Sequence, residues 1–98
     1  MAEFFVWVTT RRINEGALED LRKAWEPPAP PEGMRRAFEW VAADGQTVVG
    51  VSFWDSEELC DRYRSSDAEA ERREHMAPFV ESEEPATYAG RELSIPSG

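Results

Sequence analysis

The sequence predicts an α+β domain with the element order β-α-β-β-α-β: a four-stranded antiparallel sheet carrying its helices on one face. Three observations lead there. Residues 3–13 and 46–54 are rich in β-branched and aromatic residues, the mark of strands. Between them lies an apolar stripe at helical spacing, cut short by prolines. After Trp54, two Ser- and Asp-rich starts each open a helical pattern.

Glu3 to Ile13 (EFFVWVTTRRI) is the first strand. Phe4, Val6 and Val8 share one face, and Phe5, Trp7 and Thr9 share the other. Both faces start apolar, so both need cover, and a two-layer monomer would leave one of them wet. Asn14-Glu15-Gly16 turns the chain, with Asn14 or Gly16 available as a cap. Ala17, Leu18, Leu21, Ala24 and Trp25 then fall on one face of an amphipathic helix. Prolines 27, 28, 30 and 31 end it and stiffen the loop that follows.

Met34 to Ala43 is the second strand, with Met34, Phe38 and Trp40 assigned to one face. Asp44-Gly45 is a hairpin signal, and Gln46 to Trp54 returns as the third strand, with Val49, Val51 and Phe53 on one face. A D-x-x-E capping box at Asp55–Glu58 opens the second helix, whose inner face carries Leu59 and Tyr63. Ser66 to Glu69 repeats the capping signature, so the helix breaks at 65–67 and restarts with Ala68, Arg72, His75, Met76 and Phe79 inward. Pro78 and Pro85 bracket a loop, and Ala86 to Ile95 is the fourth strand. This order is ferredoxin-like.

The 98 residues make one domain, residues 1–98, with a single core. Eleven basic against 20 acidic residues give a net charge of −9, which argues against nucleic-acid and anionic-membrane partners. The third strand also lacks the basic and aromatic residues of an RNA-recognition module. One cysteine and the early return of charge at Arg11-Arg12 point to a cytoplasmic protein. Four tryptophans are more than one small core usually needs and fit a homodimer.

No metal site is readable, because one His and one Cys cannot supply three or four ligands. No phosphate loop or nucleophile elbow is present, and no cofactor is implied. Cys60 reads as packing. His75 is the one side chain that titrates near neutrality; it is either a candidate acid or base, or a solvated helix-end residue. Trp7, Trp40 and Trp54 are either core bulk or the walls of a pocket for a flat ligand. Arg11-Arg12 and Arg35-Arg36 read either as solvated strand ends and faces or as a place where one arginine receives an anionic substrate.

The run F-W-D-S, followed by Tyr63 and by Ser65-Ser66-Asp67, comes after a β-α-β-β start with Gly16 opening the first helix. It resembles the dimeric α/β-barrel superfamily, in its antibiotic-biosynthesis-monooxygenase-like group. That resemblance implies a homodimer packed sheet on sheet, with a pocket between sheet and helices. It also implies binding and oxidation of a small aromatic or polycyclic molecule by a cofactor-independent monooxygenase-like reaction. The candidate catalytic residues are then His75 and Tyr63, and the candidate ligand-binding residues Trp7, Thr9, Phe38 and Trp40. The superfamily's haem-degrading members need an Asn, a Trp and a His where this chain has Thr9, Tyr63 and Arg73, so the resemblance does not extend to that reaction. The alternative from another class is a non-catalytic ligand-binding or accessory homodimer.

Overall fold

The structure is a computed structural model that describes residues 3–27 and 29–96. Its elements are β1 (Glu3–Ile13), α1 (Leu18–Trp25), β2 (Met34–Val41), β3 (Thr47–Trp54), α2 (Glu57–Arg64), α3 (Asp67–Met76), a 3₁₀ turn (Ala77–Phe79) and β4 (Val80–Arg91). The strands form one antiparallel sheet in the order β2-β3-β1-β4. This is the ferredoxin-like arrangement that the sequence predicts.

Register sorts the side chains. Trp7 pairs with Ser52, Thr9 with Gly50 and Arg11 with Val48. Trp7, Thr9, Arg11, Ile13, Val48, Ser52 and Trp54 are all buried, because the helices lie on this face. The intervening residues face the other way: Val6 opposite Phe53 and Tyr88, Val8 opposite Val51, Phe38 opposite Val51, and Trp40 opposite Val49. Trp40 and Tyr88 there are more than half exposed.

The core under the helices is split. One cluster joins Ile13, Leu21, Val48 and Met76, with Trp25 packed against it. The other joins Trp7, Trp54 and Cys60, flanked by Met34, Leu59 and Tyr63.

Several local readings are corrected. Ser56, not Asp55, caps α2 by accepting from the Leu59 amide; Asp55 instead pairs with Arg35 at 2.6 Å. Ser66 caps α3 through the Glu69 amide, so the predicted break and restart stand. Asn14 does not cap α1; its side-chain amide donates to the Pro78 carbonyl at 2.9 Å. The β2–β3 hairpin is not a two-residue turn. Gly45 donates to the Ala42 carbonyl at 2.9 Å and takes a positive φ of 72°, while the Asp44 carboxylate accepts from the amides of Gln46 and Thr47. Met34 lies with the helix-face residues, away from Phe38 and Trp40, because a bulge at Arg35 shifts the register between Met34 and Arg36. β4 begins at Val80, six residues before the predicted Ala86, and ends at Arg91. Pro85 lies inside it, as an edge strand with only β1 for a neighbour allows.

Gly33 marks the entry to β2. Its φ is +88°, and a Cβ there would stand 2.7 Å from Leu59 Cδ1. Its carbonyl accepts from the Asp55 amide at 2.9 Å. Glycine is the residue that meets both demands, left-handed backbone and close contact with α2.

Candidate functional site

The gap between the two core clusters is a cavity with two chambers. The inner chamber, about 30 Å³, lies among Trp7, Thr9, Ser52, Tyr63, Met34 and Arg72. The outer chamber, about 230 Å³, lies between α1 and the β2–β3 hairpin, among Leu21, Arg22, Ala37, Glu39 and Val48. Arg11, Trp25 and Gly50 border both. The floor exists because β3 presents Gly50 and Ser52, small residues, to the helices where an apolar strand would present large ones.

Polar groups converge on the inner chamber. Trp7 Nε1 and Tyr63 Oη are buried without a well-formed hydrogen bond within the protein, although the phenol stands close enough to Arg72 and Glu69 for both to act on it. A buried unpartnered polar atom costs on the order of 1–3 kcal/mol, so two at one cavity are a concentrated cost. Ser52 Oγ, by contrast, accepts from Trp54 Nε1 at 2.8 Å. The Trp7 and Trp54 rings flank Tyr63, with centroids 6.4 Å and 5.6 Å from it. Burial, the largest cause, pushes the Tyr63 phenol above its ordinary pKa; Glu69 pushes the same way and Arg72 opposes both. At neutral pH Tyr63 is therefore a donor, not a base.

Charge lines the cavity as well. Arg72 and Glu69 form a buried pair at 2.6 Å and 3.1 Å, and Arg72 also donates to the Trp25 carbonyl at 3.2 Å. The second hydrogen bond and the carbonyl contact offset the desolvation of both ions. Arg11, 4% exposed, donates from Nε to Glu83 at 3.0 Å, and Glu83 is shared with Arg73 at 2.8 Å. Burial, the largest cause, lowers the Arg11 pKa, though a guanidinium stays charged at neutral pH. The cavity lining carries three cations, Arg11, Arg22 and Arg72, each paired with a carboxylate, Glu83, Glu39 and Glu69, and the Glu83 carboxylate is shared with Arg73.

The predicted residues separate. Trp7, Thr9 and Tyr63 come together on the inner chamber. His75 does not join them: it is exposed, because the buried stripe of α3 runs Glu69, Arg72, Met76 and leaves residue 75 about 100° round the helix from Met76. Phe38 and Trp40 stand on the opposite face of the sheet from Trp7 and Thr9. The Phe38 ring stacks on Trp40 at 5.5 Å and meets Phe53 edge-on at 5.9 Å, although residue 38 also borders the outer chamber. Arg11, read from the sequence as a solvated strand residue, is buried toward the helices.

Ser52 and Gly50 are cavity residues that the sequence reading did not name as site residues, while Arg72 was placed inward without a role and Arg11 was read first as solvated. The signal for Arg72 was present, since Glu69 and Arg72 stand three apart on the Met76 stripe, a spacing that pairs buried charges. Arg11 shares the parity of Trp7 and Thr9, which places it on the same face.

Among the described residues, no group of His, Cys, Asp and Glu can hold a metal ion, and no helix is long and apolar enough to cross a membrane. No family profile matches the sequence, and no curated protein matches it significantly. Solved structures do match. The protein SO0527 of Shewanella oneidensis is 25% identical over 89% of this chain and 90% of its own, with a TM-score of 0.71. SnoaB, a cofactor-independent oxygenase from Streptomyces nogalater, superimposes with a TM-score of 0.75 over 98% of this chain and 100% of its own, at 12% identity. A Bordetella bronchiseptica protein, provisionally assigned as an antibiotic biosynthesis monooxygenase, gives 0.74 over 95% and 100%, at 11% identity. The chain therefore carries the ferredoxin-like fold of the antibiotic-biosynthesis-monooxygenase-like proteins.

Proposed function

We propose that the chain binds a one- or two-ring hydroxylated aromatic molecule in the two-chamber cavity and oxygenates it with O₂ and no cofactor. The observation that carries this reading is the pair of buried, unpartnered donors, Trp7 Nε1 and Tyr63 Oη, at one chamber. That chamber has room for about one oxygen-sized group. A phenolic oxygen seated there satisfies both donors at once. The rings extend past the Arg11 guanidinium, which lies over Gly50, into the outer chamber. A cavity of roughly 150 Å³ accepts benzene, so about 230 Å³ suits one or two rings and is too small for a larger polycycle.

The chemistry follows from what the donors favour. Two N–H and O–H groups in a dry site stabilise a phenolate over a phenol, which lowers the ligand's own pKa. Glu69 is held by Arg72 and Tyr63 stays protonated, so no side chain of the inner chamber takes the proton; it leaves to solvent. The electron-rich ring carbon ortho or para to the phenolate gives one electron to O₂. The ring radical and superoxide join through a new C–O bond. Loss of the ring C–H proton then breaks the O–O bond, leaving C=O on the ring and releasing the second oxygen as water.

We also infer that the working form is a homodimer joined through the open sheet face. Phe4, Val6, Val8, Phe38, Val49, Val51 and Phe53 crowd it, with Trp40 and Tyr88 more than half exposed. SnoaB, whose fold this chain shares, is described as a cofactor-independent oxygenase, which supports the oxygenase reading over plain binding.

The test combines two readouts on one sample. Naphthol is expected to quench tryptophan fluorescence saturably and to drive protein-dependent oxygen uptake. Quenching without uptake would leave a binding protein; no saturable quenching would overturn the reading altogether.

A further inference from the structure

Arg11 has an arrangement that holding the sheet together does not require. Its side chain leans back along β1. Nη1 lies 3.5 Å from where a Cβ on Gly50 would stand, and Gly50 is opposite Thr9, not opposite Arg11. The guanidinium thus sits at the level of the Thr9–Gly50 pair, where the two chambers meet. Among the described residues its one hydrogen bond is the Nε bond to Glu83, whose carboxylate Arg73 also holds. Arg72, the neighbouring cation, is matched by Glu69 and the Trp25 carbonyl. Arg22, on the outer chamber, is matched by Glu39 and Glu19, so of the cavity's three cations Arg11 is the one that shares its carboxylate with another cation. It stands one residue pair, about 7 Å, along the sheet from Trp7, the other fixed donor.

We propose that Arg11 is a specificity residue, and that the ligand class is a hydroxyaryl carboxylic acid: phenolic oxygen in the inner chamber, carboxylate on the free Nη groups of Arg11. This rests on the aromatic-ligand reading above and narrows it. A buried guanidinium prefers a planar two-oxygen anion, which it meets through parallel N–H bonds. Gly50 leaves the space in which the guanidinium itself sits. A chain of net charge −9 repels acids at long range, so selecting one needs a local cation with free donors, as the Nη groups of Arg11 provide.

The experiment compares naphthol with its ortho-carboxylated analogue, hydroxynaphthoate, by fluorescence quenching at low salt. For the unmodified protein the acid is expected to bind at least tenfold more tightly, an advantage that shrinks as salt is added. Arg11→Gln should bring the ratio of affinities to about one. Glu83→Gln, which removes the competing carboxylate, should widen it, and decides the matter alone if Arg11→Gln does not fold. Equal binding of both compounds by the unmodified protein overturns the acid-specific proposal, while saturable naphthol quenching keeps the aromatic site. No quenching by either compound overturns both. An acid preference that survives Arg11→Gln assigns the carboxylate elsewhere and also overturns the proposal.

Discussion

The two faces of the sheet use similar residues for opposite purposes. On the helix side Trp7 and Trp54 are 8% and 4% exposed, yet the strand positions between and beside them are Thr9, Arg11, Gly50 and Ser52. On the open side the alternation is the cleaner apolar one, Val6 and Val8 beside Val49, Val51 and Phe53, but Trp40 remains 56% exposed. The face that looks more like a core is the uncovered one. The covered face gives up apolar continuity to hold a cavity. Apolar alternation therefore reports that a face needs cover, not which partner supplies it.

The comparison can be broken first with tryptophan. Trp54→Ala is expected to lower stability by about 3–5 kcal/mol, since a buried ring is lost. Trp40→Ala should cost under about 1 kcal/mol at concentrations where the chain is monomeric. Matching denaturant midpoints for the two variants would show that the faces are not distinct.

The open face is tested next by charge. Val51→Glu is expected to turn the proposed homodimer into a folded monomer, because an interface of that kind buries well over about 1,000 Å² and does not tolerate an unpaired carboxylate. Light scattering at micromolar concentration reads the mass. A dimer that persists would place the interface elsewhere.

A smaller effect sharpens the helix side. Tyr63→Phe removes a buried hydroxyl that has no partner, so stability without ligand should hold or rise by up to about 1 kcal/mol. The same change should weaken naphthol binding about three- to tenfold. Loss of both would make Tyr63 structural; loss of neither would empty the inner chamber of its role.

The smallest effect is one of pH. Burial, the largest cause, pushes the fully buried Cys60 thiol up to about 11. The unfolded thiol ionises near about 8.5, so this contribution is fully present below that pH and is lost as pH rises toward about 11. Cys60→Ala should flatten the alkaline limb of the stability profile, on top of a cavity cost that does not depend on pH. An unchanged limb would show that the thiol does not shape it.

Much of the fold was legible because the chain punctuates itself. Prolines end α1, serines cap α2 and α3, and strong alternation marks β1 and β3. β4 was misplaced because Glu81, Glu83, Glu84 and Pro85 read as loop, whereas an edge strand tolerates both acids and proline. The faces of β2 were misjudged because one bulge reverses parity and no single residue announces it. The site was half legible: Trp7, Thr9 and Tyr63 follow from parity and helical spacing. Arg11 was read first as solvated because charged residues are seldom fully buried. His75 was misplaced by one position, enough to rotate it from core to solvent.

Gly33 has a bearing on how a ligand arrives. Its closeness to Leu59 and its bond to the Asp55 amide fix the start of β2, and Met34, the next residue, walls the inner chamber. That wall cannot swing aside without breaking the contact, so exchange does not require Met34 to move. A ligand then finds its deepest contacts already in place and spends little binding energy on ordering them. Association should follow a single exponential whose rate rises linearly with ligand concentration, with affinity differences among ligands appearing in how slowly they leave.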